Sequence, residues 1–313
     1  MQLPEELQCA IDQMAQHSRV LNQARVALTQ DYREGKSSPF SDETKRLAYL
    51  GCRMPATYAA VHKVLENAPA FTSLADLGAG PGTASWAATQ VFPSIEKVTL
   101  VEKSPDAVAL GRKLAASSSH LALREARWIA QPLSEALPPA DAAILSYVLN
   151  EVTDPHLLIE RCWQTYPLLI LIEPGTPKGF RLIRALREQL LRQQAYLIAP
   201  CPHHKACPIE GHDWCHFAAR VERSRLHRLL KGGTLGYEDE KFSYLIAAKT
   251  PVACAHARII RPPEIQKGSV RLSLCAADGK LEERVVFKKE KPLYRKARDV
   301  RWGQTWDGVD AGF

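Results

Sequence analysis

The chain has 313 residues, 46% hydrophobic and 24% charged, a globular composition with enough apolar material for about two domains. Its formal net charge of +7 points toward a polyanionic partner. Residues 1–13 carry two early glutamates and no basic segment leading into an apolar run, and no stretch approaches a membrane span. The expectations are no membrane partner and a protein of the reducing cytoplasm, where a disulfide framework for the eight cysteines is excluded.

Residues 1–70 read as a helical preface. Apolar residues recur at helical spacing through Leu7, Ile11 and Met14, then through Leu47, Leu50, Met54, Tyr58, Val61 and Leu65. Gly35 to Pro39 breaks the two pieces, and Ser41 to Thr44 has the acceptor-then-acid character of a helix start.

From Phe71 short apolar runs alternate with helical segments. Strands are predicted at 72–76, 97–102, 140–147 and 168–173, with helices at 83–91, 105–116, 155–163 and 178–194. Such alternation predicts an α/β fold with a parallel sheet. A cysteine-rich segment follows, then a basic helix over 218–231 and a strand over 242–249. Beyond Pro251 the texture changes to short alternating strands at 270–275 and 284–288 around an Asp278-Gly279 turn, a small β module. The expected domains are 1–70, 71–250 with an insertion at 200–217, and 251–313.

Between the first strand and its helix lies Leu74-Ala-Asp-Leu-Gly-Ala-Gly-Pro-Gly-Thr83. Glycines there let the backbone approach a ligand that no side chain would admit. The dinucleotide fingerprint places its third glycine inside the helix, whereas here Gly-x-Gly-x-Gly follows an acid two residues upstream. The segment resembles motif I of class I S-adenosylmethionine methyltransferases. That resemblance implies a Rossmann-like sheet and cofactor contacts from Asp76, Gly78, Ala79, Gly80 and Gly82. Glu102 ends the next strand, where an acid accepts hydrogen bonds from a ribose diol. Ser146 opens Ser-Tyr-Val-Leu-Asn-Glu151 at the sheet edge where such enzymes present the methyl acceptor. No catalytic residue is identifiable, and methyl transfer needs alignment more than an acid–base pair.

Cys201, Cys207 and Cys215 fall within fifteen residues among prolines and histidines, with Cys275 sixty residues on. Soft thiolates in a donor-rich loop predict a metal site. The Cys-x5-Cys-x7-Cys spacing lacks the paired Cys-x2-Cys of common zinc sites, so iron–sulfur is preferred and zinc is the alternative. Free structural thiols are the plain alternative to any metal. Cys9, Cys52, Cys162 and Cys254 are expected to be packing residues.

Several stretches together resemble the methyltransferase-like factors of the small ribosomal subunit found in bacteria and mitochondria. They are Arg46-Leu-Ala-Tyr-Leu-Gly-Cys-Arg-Met-Pro-Ala-Thr-Tyr-Ala-Ala60, the glycine loop, Ile172-Glu-Pro-Gly-Thr-Pro-Lys-Gly-Phe180, and Cys-Pro-His-His-Lys-Ala-Cys-Pro from Cys201. Trp-Cys-His-Phe from Trp214, Glu-Asp-Glu-Lys-Phe-Ser-Tyr from Glu238, and the closing Tyr-Arg-Lys-Ala-Arg and Arg-Trp-Gly extend the match to nearly the whole chain. The resemblance implies a 4Fe-4S cluster on Cys201, Cys207, Cys215 and Cys275, with Cys254 as rival fourth ligand. It also implies association with small-subunit rRNA during ribosome assembly or translation. Residues 258–301 hold thirteen Lys or Arg against six Asp or Glu, and Tyr294 and Trp302 offer rings that stack on unpaired bases. The functional expectation is therefore an S-adenosylmethionine-dependent, methyltransferase-like protein of the small subunit. A catalytically inactive iron–sulfur assembly factor and a small-molecule methyltransferase are the alternatives, and oligomeric state is left open.

Overall fold

The computed structural model describes residues 1–16, 40, 42–231, 234–252 and 254–308. The expected break at Gly35 to Pro39 lies outside them. The chain divides into two compact units. One comprises Met1–Leu149 with Gln164–Tyr166 and Ala219–Glu240; the other comprises Asn150–Trp163, Pro167–Ala218 and the chain from Lys241 onward.

In the first unit, α1 (Glu5–Gln16) buries Leu7, Ile11 and Ala15, an i, i+4 stripe. Helix α2 (Glu43–Ala48) is capped by Asp42, whose carboxylate accepts the Lys45 N–H at 2.8 Å. A π-helical turn, Tyr49–Arg53, joins it to α3 (Met54–Leu65). Pro55 explains the change of phase, because it has no N–H to return to the Gly51 carbonyl; Met54 N–H bonds to Tyr49 O instead.

A parallel sheet forms the core of this unit. Strands β1 (Ser73–Leu77), β2 (Lys97–Val101), β3 (Arg127–Ile129) and β4 (Ala142–Ser146) lie in the order β3-β2-β1-β4, with Ala75 opposite Thr99 on one side and Ala143 on the other. Strands β1, β2 and β4 are nearly continuous runs of buried residues, as a parallel sheet covered on both faces requires. Helices α4 (Thr83–Val91), α5 (Pro105–Ala115) and the short α6 (Leu121–Arg124) complete the alternation. This is the α/β, Rossmann-like arrangement expected. Strand β3 escapes sequence patterning because three residues carry no period.

The basic helix expected over 218–231 does not form as one element. Its first part is strand β7 (Phe217–Glu222), in which Phe217, Ala219 and Val221 are buried and Ala218, Arg220 and Glu222 are not. That period of two belongs to a strand, and only Arg225–Lys231 is helical, as α9. Glu238 accepts from Arg223 at 3.0 Å and Lys231 at 2.8 Å, with His227 Nε2 at 3.3 Å. Burial opposes its ionisation, yet these partners hold its carboxyl well below the ordinary range.

In the second unit, strand β5 (Leu168–Pro174) and strand β6 (Tyr196–Ala199) flank β8 (Tyr237–Ala248), which runs antiparallel to both. Helices α7 (Pro155–Thr165) and α8 (Pro177–Arg192) precede β5 and β6 respectively. The C-terminal module is a second sheet, ordered β10-β11-β12 with β9 also on β11. Its strands are β9 (Ala257–Ile259), β10 (Glu264–Gln266), β11 (Ser269–Ala276) and β12 (Leu281–Phe287). The turn between β11 and β12 uses Gly279 at φ +85°, a left-handed position that favours glycine.

Helix α10 (Lys291–Asp299) contributes Ala297 to this module's core beside Ile259, Val270, Leu272, Leu274, Val286 and Trp306. Tyr294 packs against that core, and the Trp302 ring lies 5.1 Å from His216. Both rings expected to stack on bases are thus engaged within the unit. The surrounding cations remain exposed: Lys288, Lys289, Lys291, Arg295, Lys296, Arg298 and Arg301.

Candidate functional sites

The glycine loop leaves β1 and turns into α4 through three left-handed residues, Gly78 (φ +73°), Gly80 (φ +54°) and Gly82 (φ +84°). Gly78 N–H and Ala79 N–H both donate to Val101 O, at 2.8 and 3.1 Å, tying the loop to the end of β2. A Cβ on Gly78 would collide with Val148, so space and backbone both demand glycine. Gly82 caps α4.

Glu102 leaves β2 toward the same loop. One oxygen accepts Gly80 N–H at 2.9 Å and the other accepts Ser104 N–H at 2.8 Å. Each oxygen keeps a second lone pair, the capacity a ribose diol uses. Asp76 is buried, and its Oδ2 accepts both N–H and Oγ–H of Ser85, at 3.1 and 2.7 Å. Burial outweighs those bonds and pushes its carboxyl up to about 6. Ser146 Oγ, at the end of β4, is buried without a hydrogen-bond partner among the described residues.

The π-helical turn brings two side chains to this region that carried no role in the sequence reading. Tyr49 OH lies 3.5 Å from Thr83 Oγ1, and its ring packs edge-on against Phe40 at 4.9 Å beside Gly80. Arg53 sits 4.5 Å from the centre of the Tyr147 ring and 3.2 Å from Glu240, which also accepts the Tyr147 hydroxyl at 3.0 Å. Tyr147 has φ +58°, a strained conformation for a residue with a side chain. The only sequence trace of this trio was that all three fall in stretches already singled out for other reasons.

The cysteines occupy the second unit. Cys201, Cys207, Cys215 and Cys275 line one cavity of about 600 Å³, counting the part open to solvent. Cys275 comes from β11 and is buried; the others are half-buried in the segment between β6 and β7. Burial pushes the Cys275 thiol up to about 12 and the Cys215 thiol well above its ordinary value, and in each case Cys201 and Cys207 add to the shift. No three His, Cys, Asp or Glu side chains among the described residues converge tightly enough to hold a single metal ion.

Cys254, the rival ligand, is exposed and is not part of the cavity wall. Of the four cysteines expected to pack, Cys52 and Cys162 are buried, but Cys9 and Cys254 are exposed. Cys9 lies on the solvent side of α1, off the Leu7–Ile11 stripe, and Cys254 lies in the loop before β9.

Sequence reasoning missed the cations around this cavity. Arg187 is 3% exposed; its Nε donates to Cys201 Sγ at 3.3 Å, its Nη2 donates to the carbonyls of His203 and Lys205, and its Nη1 pairs with Glu188. Arg184 donates to Ile209 O at 2.8 Å, and the buried Arg258 donates to Pro200 O at 2.9 Å. The legible signal was on α8, where Phe180, Ile183, Arg184 and Arg187 form an i, i+3, i+4, i+7 stripe that all lines the cavity. Arginines on the inward stripe of a helix need an anionic or carbonyl partner.

A glycine-rich loop at the end of the first strand of a parallel α/β sheet defines a Rossmann-like α/β protein. The family model for the mitochondrial small ribosomal subunit protein Rsm22 matches residues 43–307, and the chain belongs to that family. The human mitochondrial ribosome assembly protein METTL17 is 27% identical over 286 residues, covering 82% of this chain and 61% of METTL17. The Rsm22-cox11 tandem protein 2 of Schizosaccharomyces pombe, also mitochondrial, is 25% identical over 92% of this chain and 47% of its own length. The chain thus spans 61% and 47% of the length of these two relatives. Among solved structures, the plantazolicin methyltransferase BpumL in complex with triazolic desmethylPZN analog and SAH is 11% identical over 74% of this chain and 98% of its own, with a TM-score of 0.42. No described helix is long and apolar enough to cross a membrane.

Proposed function

We propose that this chain is a methyltransferase-like assembly factor of the small ribosomal subunit that binds S-adenosylmethionine at the glycine loop, a 4Fe-4S cluster at the four cysteines, and rRNA through its basic C-terminal module. The observation that carries the reading is the meeting of Cys275 with Cys201, Cys207 and Cys215 on one cavity wall, in a chain of the Rsm22 family. The donor set, four soft thiols beside the buried guanidinium groups of Arg187 and Arg258, is chemically suited to an anionic iron–sulfur group. Cys275 of β11 and Cys201, Cys207 and Cys215 of the segment after β6 would hold such a group, which would supply a link between these two parts of the chain.

Asp76, Gly78, Ala79, Gly80, Gly82, Glu102 and Ser146 are the proposed cofactor contacts. The glycines admit the cofactor's backbone-facing edge, Glu102 takes the ribose hydroxyls, and Ser146 offers its unpartnered hydroxyl near the transfer position. Lys288, Lys289, Lys291, Arg295, Lys296, Arg298 and Arg301 are proposed to contact phosphates rather than bases, since Tyr294 and Trp302 are packed inward. A reducing compartment is implied, whether the cytoplasm or the mitochondrion named for the relatives.

Tritium transfer from labelled S-adenosylmethionine to purified small subunits tests the enzymatic part, with label expected in RNA. A second reading, assembly without methyl transfer, is favoured by the loop N–H groups of Gly78, Ala79 and Gly80 already being bonded within the chain. It predicts cluster-loaded protein bound to subunits and no label. Reversing the charges of Lys288, Lys289, Arg295 and Lys296 is expected to weaken rRNA binding and flatten its salt dependence; unaltered crosslinking refutes that part.

A further inference from the structure

The cysteine cavity holds a feature that ligand assignment alone does not require. Two different nitrogen-bearing side chains reach two different sulfurs. Arg187 Nε donates to Cys201 Sγ at 3.3 Å, and His203 Nε2 lies 3.4 Å from Cys275 Sγ. Both side chains are almost wholly buried, at 3% and 4% exposed. The sulfur contact engages the Nε2 side of the His203 ring, deep in the cavity wall. Arg187 does more: its Nη2 also holds the carbonyls of His203 and Lys205, so the guanidinium fixes the loop that presents the histidine.

Packing alone does not explain this arrangement. An arginine brought to the inner face of α8 costs desolvation, and its one carboxylate partner, Glu188, is far more exposed than it is. Its remaining partners are two carbonyls and the Cys201 sulfur, a set that offsets the cost best if that sulfur is an ionised ligand. Hydrogen bonds to ligand sulfurs and nearby positive charge both stabilise the more reduced, more negative state of an iron–sulfur group.

We infer that Arg187 and His203, the latter with its proton on Nε2, are positioning residues that raise the reduction potential of the group held at Cys201 and Cys275, Arg187 through charge and a hydrogen bond, His203 through a hydrogen bond. The inference rests on the iron–sulfur reading above. It makes the pair a setting for the oxidation state, with Arg187 contributing more because it carries charge and also steadies the histidine. No electron donor or acceptor is implied; the claim concerns the equilibrium potential alone.

The test is a redox titration of the full chain, purified without air, followed by electron paramagnetic resonance with iron and sulfide content measured in parallel. Wild type is compared with His203→Phe, which removes the donor and keeps Arg187, and with Arg187→Gln. Midpoint potentials are expected to fall in both, further in Arg187→Gln. If Arg187→Gln folds by circular dichroism but takes up less iron, its role in fixing the loop is supported, and His203→Phe still reports the potential. Wild-type iron content and wild-type potential in both variants overturn the inference while leaving the cluster standing. Iron-free wild type overturns the cluster and the inference with it.

Discussion

The glycine loop and the cysteine cavity, one in each compact unit, differ in what their polar atoms already touch. In the loop the polarity is backbone and it is satisfied locally: Gly78 and Ala79 bond to Val101, Gly80 to Glu102, and Asp76 to Ser85. In the cavity the polarity is side chain and it is gathered from afar, with Cys275 brought from β11 and Arg187 from α8 to sulfurs in the intervening segment. A site of the first kind keeps its shape by its own hydrogen bonds. One of the second kind gathers four thiols and buried guanidinium groups from distant parts of the chain, so a bound group that ties them together is expected to stabilise it far more.

The largest test removes a sulfur. Cys275→Ser is expected to lose most iron and visible absorption, because no fourth thiol replaces it: Cys254 is exposed and off the cavity wall. Iron content equal to wild type would remove Cys275 from the ligand set. Hydrogen exchange on the same variant sharpens the contrast, since β11 and residues 201–216 are expected to lose protection while β1 and β2 do not.

The next effect concerns the first unit's own half-buried charge. Glu238→Gln removes the one carboxylate shared by Arg223, Lys231 and His227 and is expected to cost about 3 kcal/mol in denaturant unfolding at pH 7. The sign with pH follows from the lowered carboxyl. The wild-type contribution is full above the ordinary glutamate value and is lost as pH falls below it, so the two proteins converge in acid. A constant gap from pH 7 down to pH 3 would refute the charge network.

Asp76→Asn should act in the opposite direction. The wild-type carboxyl, raised to about 6 by burial, favours the folded state below about pH 4 and penalises it progressively up to about 6, by at most about 3 kcal/mol. Asparagine keeps an acceptor for Ser85 and removes that penalty, so stability relative to wild type should rise between pH 4 and 7. A flat difference would mean that the carboxylate is better solvated than its burial implies.

The same contrast governs how much of each site was legible in the sequence. The loop was readable because its chemistry is local: Asp76, three alternate glycines and the start of α4 at Thr83 lie within eight residues, and Glu102 closes the adjacent strand. The four cysteines were readable as a group, but their convergence depends on β11 meeting a distant segment, which spacing does not encode and the family resemblance supplied. Arg187 and His203 stayed hidden because buried cations look like any helix arginine or loop histidine until a sulfur stands beside them. Strand β7 was misread because Arg220, with Arg223 and Arg225 just beyond the strand, suggested a charged helix, whereas burial alternates with period two through Phe217, Ala219 and Val221.

The smallest effect probes the loop's backbone directly. Gly78→Ala places a Cβ at φ +73° against Val148, a β-branched neighbour with little rotamer freedom, and is expected to cost about 2 kcal/mol or more. Gly80→Ala is the control: its φ of +54° carries the same left-handed penalty, but its Cβ would meet only Tyr49 OH and the Phe40 ring, at 3.7 and 3.8 Å, which is ordinary contact. It should cost nearer 1 kcal/mol and leave the Gly80 N–H bond to Glu102 intact. Unfolding midpoints and calorimetry with S-adenosylhomocysteine read both variants. Equal losses would mean that conformation alone shapes the loop; a larger loss at Gly78 means that Val148, beside the strained Tyr147, sets how closely the chain can fold over the loop, so a single methyl group there does to a backbone site what deleting a sulfur does to a side-chain one.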